Sequence, residues 1–413
     1  SGIQADSGTQ RNIFDLFQFP GTKTVIAATA KSARGRDGSI IRSTDGGHKW
    51  RSVMTIPLSM PFRFAHIGGT QIVVAVGQRG IITRSEDNGE SWEVVDAGVR
   101  DDLLSVLHVP KTQILIATGQ RGWTLRSEDY GKSWDRVYGG EKGNSSAALI
   151  APVPAAAAVV IADFDGNIRR STDDGRKWVT VHTGDQQEPL RLFALRHIPN
   201  TKTLFAVGDR GLILRSDDYA ETWKTVPSGT QKVLSNLLHI QQTNVLLVSG
   251  HSGTILKSKD LGKTWRSIET GTGKELITLK YVPSLRSILA AGAGGTILIS
   301  HDYGETWRSV ASASRADFWR MSFDPSTNAV ITTGSDGAIV HLTDALSSKT
   351  KAFELASGQK GDRLLLDHFE SLAPEIKNHA LLTPYNRQFD DLIQARGRAK
   401  EKLETAEKIL KAI

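Results

Sequence analysis

The chain has 413 residues with 39 Gly, 9 Trp and no Cys, and a formal net charge of +7. The lack of Cys removes disulfides, thiolate metal sites and cysteine nucleophiles, and leaves the compartment open. The charge is modest for the length and spread along the chain, without a nucleic-acid-binding motif, so no nucleic-acid partner is expected.

The opening Ser1-Gly2 reads as a cleavage scar of a removed targeting segment, and residues 1–11 are polar and expected to be flexible. From Asn12 onward one pattern recurs: Ser-x-Asp-x-Gly-x-x-Trp. Its first three copies are Ser43, Asp45, Trp50; Ser85, Asp87, Trp92; and Ser127, Asp129, Trp134. Two more are Ser171, Asp173, Trp178 and Ser216, Asp218, Trp223. The last two are Ser258, Asp260, Trp265 and Ser300, Asp302, Trp307. Successive copies lie 42 to 45 residues apart, and only Ala220 stands where the other six have Gly. A fixed period of this length means stacked supersecondary units.

Each copy joins two β-prone runs, as in Gly80-Ile-Ile-Thr-Arg before and Trp92-Glu-Val-Val after, which reads as a hairpin. Ser and Asp accept turn N–H groups, Gly supplies positive φ, and Trp is an apolar plug. Turn geometry accounts for every one of these carboxylates, so neither metal binding nor acid–base chemistry is assigned to them. Two further β-runs precede each hairpin, such as Leu103-Leu-Ser-Val-Leu-His-Val and Gln113-Ile-Leu-Ile-Ala-Thr, separated by a turn at Pro110-Lys-Thr.

An eighth unit follows the seventh copy: Phe318-Trp-Arg-Met-Ser-Phe, Ala329-Val-Ile-Thr-Thr, Ala338-Ile-Val-His-Leu and Lys351-Ala-Phe-Glu-Leu. In it Leu342 replaces the Ser and Asp344 is kept. Four strands per unit predict an all-β chain, a β-propeller of four-stranded blades over 12–356. Eight blades are favoured. The alternative is a seven-bladed ring with the last unit packed aside or closing the first blade. The apolar stretch 147–162 contains Pro152 and Pro154 and falls in phase as strands of the fourth unit, so it is not a membrane span.

From 357 to 413 the composition turns helical. Leu365, Leu366, Phe369 and Leu372 share one face of a first helix. In a second, over 384–413, Phe389, Leu392, Arg396, Ala399, Leu403, Ala406, Leu410 and Ile413 make a heptad seam broken only by Arg396. This α-helical tail is expected either to dock on the propeller or to pair with a partner helix, as a coiled-coil segment. No terminator follows Ile413, and the helix is expected to continue into a coiled coil or a membrane segment.

With the hairpins on one face of the ring, the loops between second and third strands fall on the other. Taking the second strand to lie nearest the axis, these loops ring the channel mouth. They bring Arg36, Arg79, Arg121 and Arg210 to one sector. Arginine forks suit carboxylates and phosphates, and the alternative is pairing with neighbours such as Asp101, Asp102 or Asp209. A second cationic column, Arg42, Arg84, Arg126, Arg170, Arg215 and Lys257, directly precedes each hairpin Ser and is read as blade architecture.

The seven Ser-x-Asp-x-Gly-x-x-Trp copies resemble the Asp-box, or bacterial neuraminidase repeat, which implies a structural hairpin clasp in propeller blades. Sialidases share it, but the Arg-Ile-Pro segment expected of them is missing and Pro61-Phe-Arg-Phe is a poor echo of it. None of the tyrosines outside the hairpins, Tyr138, Tyr281 and Tyr385, stands in a recognisable catalytic setting. Xyloglucan hydrolases of the two-propeller type need a second propeller. The regular hairpin in every unit, with Gly-x-x-Gly before the third strand, is most similar to the photosystem II assembly and stability factor branch. That resemblance covers residues 12–345 and implies a non-enzymatic, lumenal or periplasmic propeller with an Arg-rich partner surface. The eighth unit and the tail depart from it.

The function expected is that of a non-catalytic, cofactor-free, protein-binding scaffold or assembly factor for a membrane-associated complex. It is expected in the periplasm, lumen or extracellular space, with a membrane tether as a further expectation. Its partner is an acidic peptide or membrane-complex subunit held by Arg36, Arg79, Arg121 and Arg210. The alternative is a sialidase-like glycosidase or carbohydrate-binding propeller.

Overall fold

The structure, a computed structural model, describes residues 3–5, 11–30, 37–139, 145–185, 187–241, 243–312, 314–324 and 329–342. Arg36, the run from Lys351 and the whole helical tail expected over 357–413 lie outside the described residues.

Eight antiparallel four-stranded sheets form the blades of a β-propeller. Blade 1 is typical, with strands Asn12–Gln18, Val25–Ala30, Gly38–Ser43 and Arg51–Ile56 hydrogen-bonded in chain order. Its second strand is buried along its whole length, and its fourth is largely exposed. The same gradient recurs because the middle strands are covered by blades on both sides, and the apolar Val/Ile/Leu/Ala runs of the second strands match that demand.

Blade 8 is assembled from both ends of the described chain. Phe318–Asp324, Ala329–Gly334 and Ile339–His341 supply three strands, and Ile3–Ala5 supplies the fourth, with Ile3 opposite His341. This settles eight blades over seven. For residues 3–5 it corrects the expectation of a flexible 1–11, because these three are backbone-paired at the outer edge of the ring. Pairing of three backbone units requires no apolar pattern, so it leaves no mark in the residues themselves.

The first strands of neighbouring blades pack on one another all the way round the ring. They are Asn12–Gln18, Pro61–His66, Leu103–His108, Ala147–Val153, Leu192–His197, Leu234–His239, Leu276–Val282 and Phe318–Asp324. The first strand therefore lines the axis, which corrects the assignment of the second strand to that place. The second strand is buried along its whole length in blades 1 to 7 and packs between blades instead of facing the channel.

Antiparallel order puts the first-to-second and third-to-fourth turns on one face, here the turn face, and the remaining loops on the other, the loop face. On the turn face the end of the first strand is stapled by a recurring contact. The rings of His66, His108, His197 and His239 bond the carbonyls of Thr70, Thr112, Thr201 and Thr243 at 2.6–2.9 Å.

Candidate functional site

The Ser-x-Asp-x-Gly-x-x-Trp hairpins are built alike in blades 1 to 7. The Ser Oγ donates to the Asp Oδ1 at 2.7–2.8 Å. It accepts the N–H of the Gly, or of Ala220, at 2.7–2.9 Å. The Asp Oδ1 also accepts the N–H of the residue before the Trp at 2.9–3.0 Å. Each carboxylate is thus occupied by its own turn. Among the described residues no group of three His, Cys, Asp or Glu could hold a metal ion.

Burial by itself would raise these seven carboxyls, but the hydrogen bonds from the turn outweigh it and hold all of them below 3.8, Asp260 at about 2. A carboxyl whose folded pKa lies below its unfolded value of about 3.9 contributes stability that is present above that value and lost as the pH falls through the folded one. Buried His341 acts in the same direction at higher pH: burial lowers its pKa from 6.5, so folding weakens as the pH drops below that value. Melting temperature is expected to decline slightly below about pH 6.5 and steeply between about pH 4 and 2. A circular-dichroism melt series over pH 2–8 checks this, and a curve flat from pH 4 to 2 would sink it.

The cationic column is architectural, as the sequence suggested. The Nε atoms of Arg42, Arg84, Arg126 and Arg170 donate to the carbonyls of Asn88, Tyr130, Asp174 and Tyr219 in the next blade's hairpin, at 2.7–3.1 Å. Arg215 reaches Leu261 through Nη1 at 3.0 Å, and Lys257 reaches Glu305 at 2.9 Å. The accepting residues Asn88, Tyr130, Asp174, Tyr219 and Leu261 all sit at positive φ, between 54° and 61°, which turns each carbonyl toward the preceding blade. Between blades 7 and 8 the matching residue is Ile299, and from blade 8 to blade 1 it is His341. The His341 ring bonds the Gly47 carbonyl at 2.9 Å and stacks on His48 with centroids 4.3 Å apart.

On the loop face, Arg79, Arg121 and Arg210 occupy the same place in their loops, at φ 55°, 54° and 49°, each followed by a Gly at positive φ. The Gly is required at Gly80, where a Cβ would stand 2.2 Å from the Val99 carbonyl oxygen. Asp102 accepts the Arg79 N–H at 2.9 Å, so this carboxylate holds the loop and does not face the guanidinium. Arg121 lies 3.5 Å from Asp101, and Arg210 pairs with Glu188. No ion pair reaches Arg79 among the described residues, and all three arginines are exposed.

Blade 4 interrupts this sector. Its loop carries Asp163, which is buried, pairs with buried Arg169 at 2.9 Å and caps the N–H groups of Asp165 and Asn167. Sequence reasoning missed Arg191, in the loop entering blade 5, whose guanidinium lies 5.9 Å from the Phe164 ring centroid. A charged residue just before a first strand was the available signal.

The corrected axis also brings forward four cations that the loops had overshadowed: Arg63, Arg196, Lys280 and Arg320, all on first strands. The first strands carry no Glu, and their one Tyr, Tyr281, bonds Tyr303 of a hairpin.

A scan against protein-family models and a search of curated sequences return no match. Among solved structures the chain is similar to YCF48 bound to D1 peptide, at 20% identity and TM-score 0.52, over 68% of this chain and 93% of that one. It is also similar to Sqt1 of Saccharomyces cerevisiae, at 10% identity and TM-score 0.64, over 81% and 96%. A third likeness is to the GH74 enzyme of Niastella koreensis, at 13% identity and TM-score 0.56, over 82% of this chain and 60% of that one. At these identities the likeness establishes the propeller fold.

Proposed function

We propose that the protein is a non-catalytic, protein-binding propeller that docks an acidic peptide or terminal carboxylate on its loop face. The observation carrying this reading is the repeated loop that presents Arg79, Arg121 and Arg210 outward from one backbone geometry, with Arg79 free of ion pairs among the described residues. Arg forks on a rigid rim offer paired N–H donors to carboxylates, and Arg191 beside Phe164 adds a mixed aromatic and cationic contact. The Asp-box resemblance, the presence of a peptide-bound propeller among the fold neighbours, and the regular hairpins support a scaffold or assembly role beside a membrane complex outside the cytoplasm. Fold likeness alone does not carry a function, so the reading stands on the arginines.

The test is affinity capture from native extract with wild type and an Arg79→Glu/Arg121→Glu/Arg210→Glu variant. Charge reversal at a rim opposes an acidic partner, so the captured partner is expected to fall at least about tenfold, roughly 1.4 kcal/mol or more. Equal recovery of the same partner by both proteins overturns the arginine surface.

A further inference from the structure

Among all eight first strands, which are otherwise apolar or neutral, the charged residues are Asp15, Arg63, Arg196, Lys280, Arg320 and Asp324. Asp324 ends its strand toward the turn face and is buried. The only other carboxylate, Asp15, is already engaged on both oxygens: Oδ1 accepts from Arg320 Nε at 3.3 Å, and Oδ2 accepts the Phe64 N–H at 2.9 Å. Asp15 thus ties blades 8, 1 and 2 together and neutralises one arginine.

Three cations remain. Arg63 donates through Nη1 to the Phe62 and Phe14 carbonyls at 2.9 and 3.5 Å, which orients it without neutralising it. Arg196 and Lys280 make no ion pair among the described residues. Arg196 is open to solvent and yet crowded by protein, as befits a side chain lining a wet channel. Desolvation and like charge act on all three. Enclosure and Arg320 pull Arg63 down to about 10, with Asp15 opposing; enclosure and Arg320 also lower Arg196; enclosure and Arg196 lower Lys280. Arg320 acts on both Arg63 and Arg196, and Arg196 acts on Lys280, so like charge links the cations in series. Positive charge between low-dielectric walls focuses its field into the channel.

Phe14 stacks on Trp319 at 5.6 Å and meets Phe62 edge-on at 6.3 Å. These rings stand one residue before Asp15, Arg320 and Arg63 on the same three strands, so apolar walls flank that side of the charge.

We propose that the axial channel is a binding site for a compact oxyanion carrying two or more negative charges, held by Arg63, Arg196 and Lys280. The ligand chemistry is that of a polycarboxylate or a di- or polyphosphate. Arg196 and Lys280 stand at one level of the axial strands, opposite Phe205 and Leu289, and Arg63, opposite Val76, stands two residues nearer the loop face, so two guanidinium forks and an ammonium are offered to the oxygens of a ligand along the axis. The site is separate from the loop-face arginines, and the two readings stand or fall independently.

The experiment is calorimetric titration of the full chain, at low ionic strength, with pyrophosphate and separately with citrate. Wild type is expected to bind at least one of them at one site per chain. An Arg196→Met/Lys280→Met variant should lose at least tenfold in affinity, while the Arg79→Glu/Arg121→Glu/Arg210→Glu variant keeps it. Preference between the two probes assigns the phosphate or the carboxylate source. No binding by wild type, binding unchanged in the channel variant, or binding lost in the loop-face variant overturns the proposal. Melting of the ligand-free proteins gives an independent readout. Removing two unneutralised cations should leave the melting temperature equal or higher, and a marked drop would show that these side chains support the fold instead.

Discussion

Gly262→Ala is expected to destabilise the propeller by about 3 kcal/mol, the sum of left-handed strain and overpacking. Gly262 sits at φ +74°, and a Cβ there would stand 2.3 Å from Phe205 Cζ. Phe205 is a fully buried second-strand residue of blade 5, so the ring cannot withdraw without disturbing the core between blades 5 and 6. The same collision awaits a Cβ at Gly175 against Ile116, at 2.5 Å, and at Gly304 against Leu247, at 2.8 Å. The hairpin glycine therefore does two jobs: it closes the turn and lets the neighbouring blade approach. Ala220 shows the exception, since its methyl is fully buried in one apolar cluster with Val160 of the preceding blade, a smaller residue than Phe205 or Ile116. Ala220→Gly relieves left-handed strain but opens a methyl-sized gap, and the expected net change is within about 1 kcal/mol. Urea unfolding of the two variants side by side decides the matter; similar small effects would remove the close-approach argument.

Deleting residues 1–10 is expected to lower stability by roughly 2–4 kcal/mol, at about 1 kcal/mol for each net backbone hydrogen bond lost. Blade 8 would be reduced to three strands, leaving Ile339–His341 as an unpaired edge. Such an edge recruits other strands, so the truncated chain should also self-associate with rising concentration. Calorimetric melting and light scattering after size exclusion measure both effects, and a synthetic peptide of residues 1–10 should recover part of the loss. A truncated chain that melts like wild type and stays monomeric would show that the closing strand contributes nothing.

The 42-residue period made the blades legible because each unit repeats the same turn chemistry, and the Ser43–Asp45 type of contact is local enough to be read from spacing. The column from Arg42 to Lys257 was legible as architecture for the same reason. Register across the ring was not. Nothing local distinguishes a strand beside the axis from one beside another blade, so spacing alone points to the loop arginines and not to Arg63, Arg196 and Lys280. Their signal was present, as single cations in apolar first strands, but it acquires meaning only once those strands are placed around a common axis. The buried pair of Asp163 and Arg169 was not legible either, because the two lie six residues apart and only the sheet brings them together. The pairing of Ile3–Ala5 with Ile339–His341 joins segments that share no pattern at all.

The cation-to-carbonyl contacts also bear on how the ring is counted. Blades 1 to 6 each carry a donor on one side and an acceptor on the other, so each of their junctions is heterologous, head to tail. Such junctions repeat without limit unless the rotation between neighbours closes, and no single repeat encodes the number eight. That number rests on the wedge angle accumulated around the axis and on the mismatched last unit. There Ile299 breaks the series of clasps, His341 resumes it by a different chemistry, and a strand from the far end of the chain takes the place of a ninth blade.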